Sequence, residues 1–95
     1  MSAKKLYPVP EALKQNTNLT PEQYHEMYEQ SVNDPDAFWS EQMKQLDWYK
    51  MPTIIKNTTF DSKNLSIKWF EDGELNVSAN CLDKHLSTTP NKTAI

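Results

Sequence analysis

Hydrophobic residues between Thr20 and Val32 recur with the spacing of an α-helix. They stand at i, i+3, i+4 and i+8, which places them on one helical face: Tyr24, Met27, Tyr28 and Val32. The segment before them, Thr20-Pro-Glu-Gln23, has Thr at an N-cap position, Pro at the first helical position and Gln at N3, which is the pattern of a capping box. We therefore expect a helix that starts at Thr20 and buries this face in a core.

Asn33-Asp-Pro35 interrupts this helical pattern. A residue that precedes proline is pushed out of the α region, so the first helix should end here, and Asp34 with Pro35 can cap a second helix. Along that second segment, residues 36–47, apolar residues fall at i, i+4 and i+7, with Phe38 beside them: Trp39, Met43 and Leu46. The pattern predicts a helical hairpin that pairs through its aromatic faces.

Beyond Asp47 the helical period gives way to short β-type runs. Residues 52–60 (PTIIKNTTF) and 65–70 (LSIKWF) are rich in β-branched and aromatic residues, and the polar Asp61-Ser-Lys-Asn64 separates them. They predict two short strands or extended pieces that can form a hairpin. Gly73, in the following turn Glu71-Asp-Gly-Glu74, can adopt a positive φ.

Helical spacing returns after this turn. Apolar residues stand at i, i+4, i+7 and i+11: Leu75, Ala79, Leu82 and Leu86. They predict a third helix capped by Asn76, with Leu82 in the core. Thr89-Pro-Asn-Lys92 has the composition of a turn, and Thr93-Ala-Ile95 that of the beginning of another strand.

Together these elements predict a mainly α fold with a small β component, of the α+β class. Residues 1–19 lack sustained periodicity and contain Pro8 and Pro10, so we expect an extended N-terminal arm. Residues 20–95 then form one small domain. A chain of 95 residues is long enough for a globular body that buries roughly 60–65% of its unfolded surface.

Composition excludes several classes of function. The ten basic residues are all lysine and are scattered, and the net charge is −3, so phosphate backbones are not attracted. Without arginine the chain cannot build the bidentate clamp used for phosphates, and its single glycine excludes a glycine-rich phosphate loop. A DNA-reading hairpin would need a basic second helix, whereas residues 36–47 are mostly acidic and neutral. We expect no nucleic acid partner and no nucleotide site.

The cellular setting follows from similar arguments. No apolar run approaches the roughly 18–20 residues of a membrane span, and the N-terminus lacks the apolar core of a signal peptide. The single cysteine cannot form an internal disulfide. We expect a soluble, cytoplasmic chain with no membrane partner.

Cys81 and His85 are the strongest candidates for site chemistry, because they stand one helical turn apart. Zinc sites need three or four protein ligands, and the only other histidine, His25, lies in a different helix. A Cys-His nucleophile would need an electropositive setting and an orienting partner. We therefore expect Cys81 to be a small core residue and His85 a surface or boundary residue.

Two further groups of residues could carry chemistry. Glu71 and Asp72 could form a general acid and base pair, but beside a glycine they are more typical of a solvated turn. Five aromatic residues could stack nucleic-acid bases, yet no basic residues are interleaved among them, so we interpret them as core and interface anchors: Tyr24, Tyr28, Phe38, Trp39 and Trp48. No residue is assigned a catalytic, cofactor-binding or metal-binding role.

Two segments carry a resemblance to a known family. Residues 67–86 (IKWFEDGELNVSANCLDKHL), with residues 24–48 (YHEMYEQSVNDPDAFWSEQMKQLDW) before them, closely resemble the N-terminal segment of the AMP-forming acetyl-CoA synthetases. The Tyr-x-x-x-Tyr helix, the Asp-x-Phe-Trp turn, the Lys-Trp-Phe segment and the Asn-Cys-Leu-Asp-Lys-His-Leu helix occur in the family's order. The resemblance extends over residues 19–95. Propionyl-CoA synthetases share the general pattern and are a weaker match.

The resemblance implies a part of a larger enzyme. Family members convert acetate and ATP to acetyl-AMP and pyrophosphate and then transfer the acetyl group to CoA, with ATP, CoA and Mg²⁺ bound elsewhere in the enzyme. Their nucleotide loop, their arginines and their C-terminal lysine have no counterpart here. We expect an N-terminal fragment, truncated before the large adenylating domain, that has no activity alone.

The partner implied by the resemblance is the remainder of the enzyme, with self-association of the isolated fragment as a further expectation. An alternative of another class is a small autonomous helical module that presents its helices to a different protein. The corresponding segment of a propionyl-CoA synthetase is a second alternative.

Overall fold

The computed structural model describes residues 4–93, and it confirms the α+β class. Four α-helices and a two-stranded antiparallel sheet follow one another along the chain: α1 (Glu11–Lys14), α2 (Pro21–Asn33), α3 (Pro35–Gln42), β1 (Lys56–Thr59), β2 (Ser66–Trp69) and α4 (Val77–Cys81). Short 3-10 turns follow α3 and α4, at Met43–Gln45 and Asp83–His85. None of the helices within residues 4–93 combines the length and the apolar character that a membrane span requires.

The predicted start of α2 is confirmed by its hydrogen bonds. The Gln23 amide donates to Thr20 Oγ1 at 3.2 Å, and the Thr20 amide donates to Gln23 Oε1 at 2.9 Å, which completes the capping box. Asp34 then ends α2 and caps α3, because its Oδ1 accepts from the Ala37 amide at 3.2 Å. The helical hairpin is therefore determined by local sequence.

The second helix is shorter than the predicted span of residues 36–47. In a continuing α-helix the Met43 carbonyl would accept from the amide of Asp47, four residues on. Here it accepts instead from the Leu46 amide at 3.1 Å and from the indole Nε1 of Trp48 at 2.8 Å. The Trp48 side chain therefore takes the place of the next helical hydrogen bond and ends the helix.

The predicted hairpin is confirmed, with shorter strands than the β-type runs. β1 and β2 pair antiparallel, with Lys56 opposite Trp69 and Thr59 opposite Ser66. One more backbone hydrogen bond, from the Phe70 amide to the Ile55 carbonyl at 2.9 Å, continues the ladder past β2. Within residues 4–93 the sheet consists of these two strands.

The turn that follows β2 differs from the prediction in its backbone. Phe70 has a φ of 49°, in the left-handed region, whereas Gly73 does not have a positive φ. The Gly73 amide donates to the Phe70 carbonyl at 2.9 Å and closes the turn. Gly73 is needed for space instead, because a Cβ there would lie 2.7 Å from Cζ3 of Trp48 and 3.0 Å from Cβ of Pro52.

The third helix begins as predicted and ends early. Asn76 caps α4, since its Oδ1 accepts from the Ala79 amide at 2.9 Å. The backbone of Leu82, at φ −122° and ψ −63°, then leaves the α region, and a 3-10 turn replaces the expected last turn of helix. The prediction that Cys81 and Leu82 are core residues is wrong: Cys81 is exposed and Leu82 is 55% exposed.

The expected N-terminal arm contains helix. The Pro10 carbonyl accepts from the amides of Leu13 at 3.0 Å and Lys14 at 3.1 Å, and so forms the single turn α1. The expectation of a wholly extended arm is therefore wrong over Glu11–Lys14. At the other end, the predicted turn is present, because the Lys92 amide donates to the Thr89 carbonyl at 3.1 Å. The predicted strand over residues 93–95 reaches beyond the described residues.

The molecule is much less compact than a globular protein of its length. Its radius of gyration is 18.8 Å and its extents are 47 × 43 × 24 Å, whereas about 12 Å is typical of a compact domain of this size. Its surface is 8637 Å² for a mass of 11.1 kDa, against about 5,700 Å² for a folded monomer of that mass. The chain buries only about half of its unfolded surface, less than the sequence predicts.

Little of the apolar surface is buried. Phe38 is the one large hydrophobic side chain in residues 4–93 that is buried, at 9% exposure. The α2 face predicted to be core is open, with Tyr24, Tyr28 and Val32 each more than half exposed. The reason is geometric, because α3 contacts only part of α2 and the described chain forms no further layer over it.

Candidate functional site

Cys81 and His85 line one surface depression between α4 and the turn at Thr89. α4 ends at Cys81, His85 lies in the 3-10 turn that follows, and both are exposed. His25 is on α2, where its Nε2 lies 3.2 Å from Oε1 of Glu29. Within the described chain no group of three or more His, Cys, Asp or Glu side chains is arranged to hold a metal ion.

Glu71 and Asp72 point to different partners, so they do not act as a pair. Asp72 accepts hydrogen bonds from the Thr53 hydroxyl at 2.6 Å, from the Thr53 amide at 2.9 Å and from the Ile54 amide at 2.9 Å. Glu71 instead lies 3.1 Å from Nζ of Lys68. Asp72 therefore ties the turn after β2 to the segment before β1, and these hydrogen bonds lie at the exposed surface of the expected turn.

The hydrogen bonds of Asp72 also decide its ionisation. The Thr53 hydroxyl is the main cause, followed by the Ile54 amide, and together they lower the pKa of Asp72 to about 2. A carboxylate that stays ionised and has its oxygens occupied is poorly suited to exchange protons near neutral pH. Its role in this chain is structural.

Asn80 is important for the structure, and the sequence did not predict this role. It is buried at 8% exposure, and its side-chain amide binds both the backbone N–H and the backbone carbonyl of Asp47. Nδ2 also donates to the Asn76 carbonyl at 3.0 Å. The available signal was an amide side chain inside a short helix, where Asn is unfavourable unless it has a specific partner.

Trp48 joins three segments of the chain. Its indole Nε1 binds the Met43 carbonyl, its ring lies 5.7 Å from that of Phe70, and Gly73 approaches its edge. These contacts leave Trp48 half-buried. Trp48 is therefore an anchor of the fold, as the sequence predicts.

A second aromatic cluster lies on the surface. We name Trp39, Trp69 and Phe70 the aromatic patch; they line one shallow apolar depression. The rings of Trp39 and Trp69 meet edge to face, with centroids 5.7 Å apart and planes inclined by 70°. Trp39 remains 36% exposed and Trp69 40% exposed. Of the pair on α3, Phe38 is buried and Trp39 is presented at the surface.

The patch suits apolar contact rather than catalysis. Nζ of Lys56 lies 5.7 Å from the centroid of Trp69 and is at its rim. Phe70 holds its φ of 49°, a conformation that costs of order 1–3 kcal/mol outside glycine and that tends to occur where function requires it. Large, ordered aromatic side chains that are only partly covered are typical anchors of interfaces.

Comparison with known proteins assigns the chain to a family. The family model for the acetyl-coenzyme A synthetase N-terminus matches residues 24–81. Among similar curated proteins, the acetyl-coenzyme A synthetase of Pseudoalteromonas atlantica is 54% identical over 92 residues, which are 97% of this chain and 14% of the relative. That of Psychromonas ingrahamii is 54% identical over 95 residues, 100% of this chain and 15% of the relative.

A third relative, the acetyl-coenzyme A synthetase of Cronobacter sakazakii, is 55% identical over 89 residues, 94% of this chain and 14% of its own length. The chain therefore spans about one seventh of the length of the curated relatives it matches. The matched range begins inside α2, at residue 24, reaches the end of α4 and contains the whole aromatic patch. The chain belongs to the acetyl-coenzyme A synthetase N-terminus family.

Proposed function

We propose that this chain acts as the N-terminal structural segment of an AMP-forming acetyl-CoA synthetase. The observation that carries the proposal is the family match over residues 24–81, together with identity above half to synthetases along nearly the whole chain. The complete enzyme would convert acetate, ATP and CoA to acetyl-CoA, AMP and pyrophosphate through acetyl-AMP.

In this proposal the chain supplies none of the reacting groups. ATP, Mg²⁺ and CoA bind to the rest of the polypeptide, because a chain with no arginine and one glycine offers neither a phosphate clamp nor a phosphate loop. The isolated chain has no ligase activity. Residues 20–95 form the family domain, residues 1–19 precede it as an arm, and the enzyme is cytoplasmic with no nucleic-acid or membrane partner.

The role of the segment is to complete the large adenylating domain. A chain whose residues 4–93 bury one large hydrophobic side chain and whose radius of gyration is 18.8 Å resembles a layer that covers another body. Its capped helices, its hairpin and the clamps formed by Asp72 and Asn80 give that layer a defined shape. The segment would act on catalysis indirectly, by fixing one flank of the domain.

The test begins with the reading frame past codon 95. The proposal expects a continuous frame of synthetase length whose product catalyses acetate-dependent exchange between ATP and pyrophosphate, with acetate preferred to propionate. The isolated chain, as the matched control, should show no exchange and no calorimetric binding of ATP below about 1 mM, an affinity of only ~4 kcal/mol.

Two results would overturn the proposal. A frame that stops at codon 95 in a cell that makes the chain abundantly would favour an autonomous interaction module. Saturable ATP binding by the isolated chain would contradict its purely structural role. A preference for propionate would reassign the segment to a propionyl-CoA synthetase.

A further inference from the structure

We infer that the aromatic patch of Trp39, Trp69 and Phe70 is the contact surface through which this segment docks on an apolar surface of the polypeptide that follows residue 95 in the synthetase. The inference rests on the proposed function and deepens it, because it names the docking face and its occupant. The partner surface is apolar at its centre, since the depression between these rings is lined by aromatic carbon.

The exposed area of the chain is large enough for a permanent interface. Its 8637 Å² exceeds the surface of a folded monomer of its mass by about 2,900 Å². Permanent interfaces bury 2,000–5,000 Å² in total, or about 1,000–2,500 Å² on each partner. The excess surface of this chain is therefore at least as large as the area that a permanent partner covers on one side.

The length of the relatives identifies that partner as the same polypeptide rather than a second copy. This chain corresponds to 14–15% of each relative, so most of the length of those relatives lies outside the matched segment. A covalently linked surface acts at an effective concentration of about millimolar. A second copy in solution is present at a far lower concentration than a linked surface. Its residues 4–93 also bury only one large hydrophobic side chain.

The aromatic patch is better prepared for docking than the other exposed apolar residues. Trp39 comes from α3 and Trp69 from β2, yet their rings already meet at 5.7 Å. Phe38 lies beneath, buried, with its ring 5.0 Å from that of Trp39 in an edge-to-face contact. Side chains that are already ordered lose little entropy on binding, which is what distinguishes the strongest contributors to an interface.

The other exposed apolar pairs come from single local segments. Leu82 and Leu86 follow a broken helix, while Tyr24 and Tyr28, whose rings stack at 6.4 Å, lie along a single helix. Neither pair brings together elements that are distant in sequence. Within β2, Ile67 and Trp69 are two residues apart and share one face of the hairpin, so the apolar surface continues from the patch along the strand.

Oxidative footprinting by mass spectrometry tests this inference on the full-length protein. Hydroxyl radicals oxidise exposed tryptophan, so Trp39 and Trp69 should react several-fold more slowly in the full-length protein than in the dilute isolated chain. Phe60, 78% exposed in the hairpin loop and outside the patch, is the matched control and should react at similar rates in both. A Trp69→Ser substitution should speed oxidation of Trp39 by a larger factor in the full-length protein than in the isolated chain, whereas Phe60→Ser should change it in neither.

The outcomes separate this inference from the proposed function. Equal oxidation of Trp39 and Trp69 in the two proteins would overturn the docking face, even if the full-length protein activates acetate. Protection that disappears on dilution of the full-length protein would mean that a second copy covers the patch, and it would also overturn the inference. A full-length protein that does not activate acetate would contradict the proposed function. That conclusion would not depend on how fast Trp39 and Trp69 are oxidised.

Discussion

The side chain of Asn80 holds the backbone of Asp47 on both sides: Oδ1 accepts from the Asp47 amide at 2.7 Å, and Nδ2 donates to the Asp47 carbonyl at 2.9 Å. A third link lies beside it, because Nζ of Lys84 donates to the Gln45 carbonyl at 3.0 Å. These contacts join the segment after α3 to α4, which is far from it in sequence. They satisfy backbone groups released by the early end of α3.

Replacing Asn80 should therefore loosen a distant segment. Asn80→Ala leaves the Asp47 amide and carbonyl without their side-chain partner, and an unsatisfied group of this kind costs about 1–3 kcal/mol. We expect exchange of the Asp47 amide proton, measured by NMR, to become at least about tenfold faster, which corresponds to about 1.4 kcal/mol. Asn64→Ala, at an exposed turn position, is the control and should leave this rate unchanged. An unaltered Asp47 rate in Asn80→Ala would contradict the clamp.

Gly73→Ala should disturb Trp48. The new Cβ would lie 2.7 Å from Cζ3 of the Trp48 ring and 3.0 Å from Cβ of Pro52, so the ring must move. Forcing an extra methyl group into a well-packed contact costs about 1–3 kcal/mol. The indole N–H of Trp48, bonded to the Met43 carbonyl, should show a shifted NMR signal and faster exchange.

The matched substitution for this test is Ser78→Ala, at an exposed position of α4. It changes a residue of similar size without approaching Trp48, and the indole signal should stay in place. If Gly73→Ala gave the same spectrum as the unaltered chain, the close approach of Gly73 to Trp48 would be refuted.

The parts of the fold that sequence predicted correctly depend on neighbours along the chain. The capping box of Thr20 and Gln23, and the stop and start at Asp34, use bonds that span three residues, so the sequence displays both partners. The β-branched runs that became β1 and β2 are equally local. Local signals therefore sufficed for the order of the elements from α2 to α4 and for the α+β class.

The parts that sequence missed depend on contacts between distant segments. Gly73 looked like a turn glycine with positive φ, but Phe70 has that conformation. Glycine is required at position 73 because the ring of Trp48 leaves no room for a Cβ. Leu82 had core spacing, yet the structure leaves it exposed. Periodicity identifies a helix face that is suited to burial. It does not show whether the residues that pack on that face belong to the same segment of chain.

The candidate site shows the same division. Residue types in the sequence led us to expect core and interface anchors among the aromatic residues, with Trp39 and Trp48 among them. The sequence could not separate their roles, because a half-buried anchor of the fold and a surface aromatic have the same local pattern. Trp69 entered only as part of a strand, and its contact with Trp39 required the geometry of the hairpin on α3.

Asp72 should give the chain a defined sensitivity to acid. Its pKa is lowered from 3.8 to about 2, first by the Thr53 hydroxyl and then by the Ile54 amide. A carboxyl whose pKa is lower in the folded state contributes stability that is present above its unfolded pKa and is lost as the pH falls through the folded one. The contact between the turn after β2 and Thr53 should therefore weaken between about pH 4 and pH 2.

An NMR titration of the Asp72 carboxyl carbon, followed together with the Thr53 and Ile54 amides, measures this effect. Asp72→Asn should remove the joint change of the two amides, while Asp83→Asn, which changes an exposed carboxyl on the 3-10 turn, should leave it. A midpoint for Asp72 near 4 would show that the hydrogen bonds do not hold the carboxylate.

The isolated chain should self-associate as its concentration rises. Many of its large hydrophobic side chains are exposed, among them Leu6 at 90%, Val77 at 68% and Tyr24 at 63%. Apolar patches of more than a few hundred Å² are uncommon on monomers and favour association. Light scattering over a wide range of concentration should show a mass that grows, and a dye specific for apolar surface should bind. In the full-length protein the same dye should bind far less per molecule, because the proposed synthetase covers this surface. A strictly monomeric isolated chain that unfolds cooperatively and binds no dye would contradict the covering-layer role, and it would favour an autonomous module.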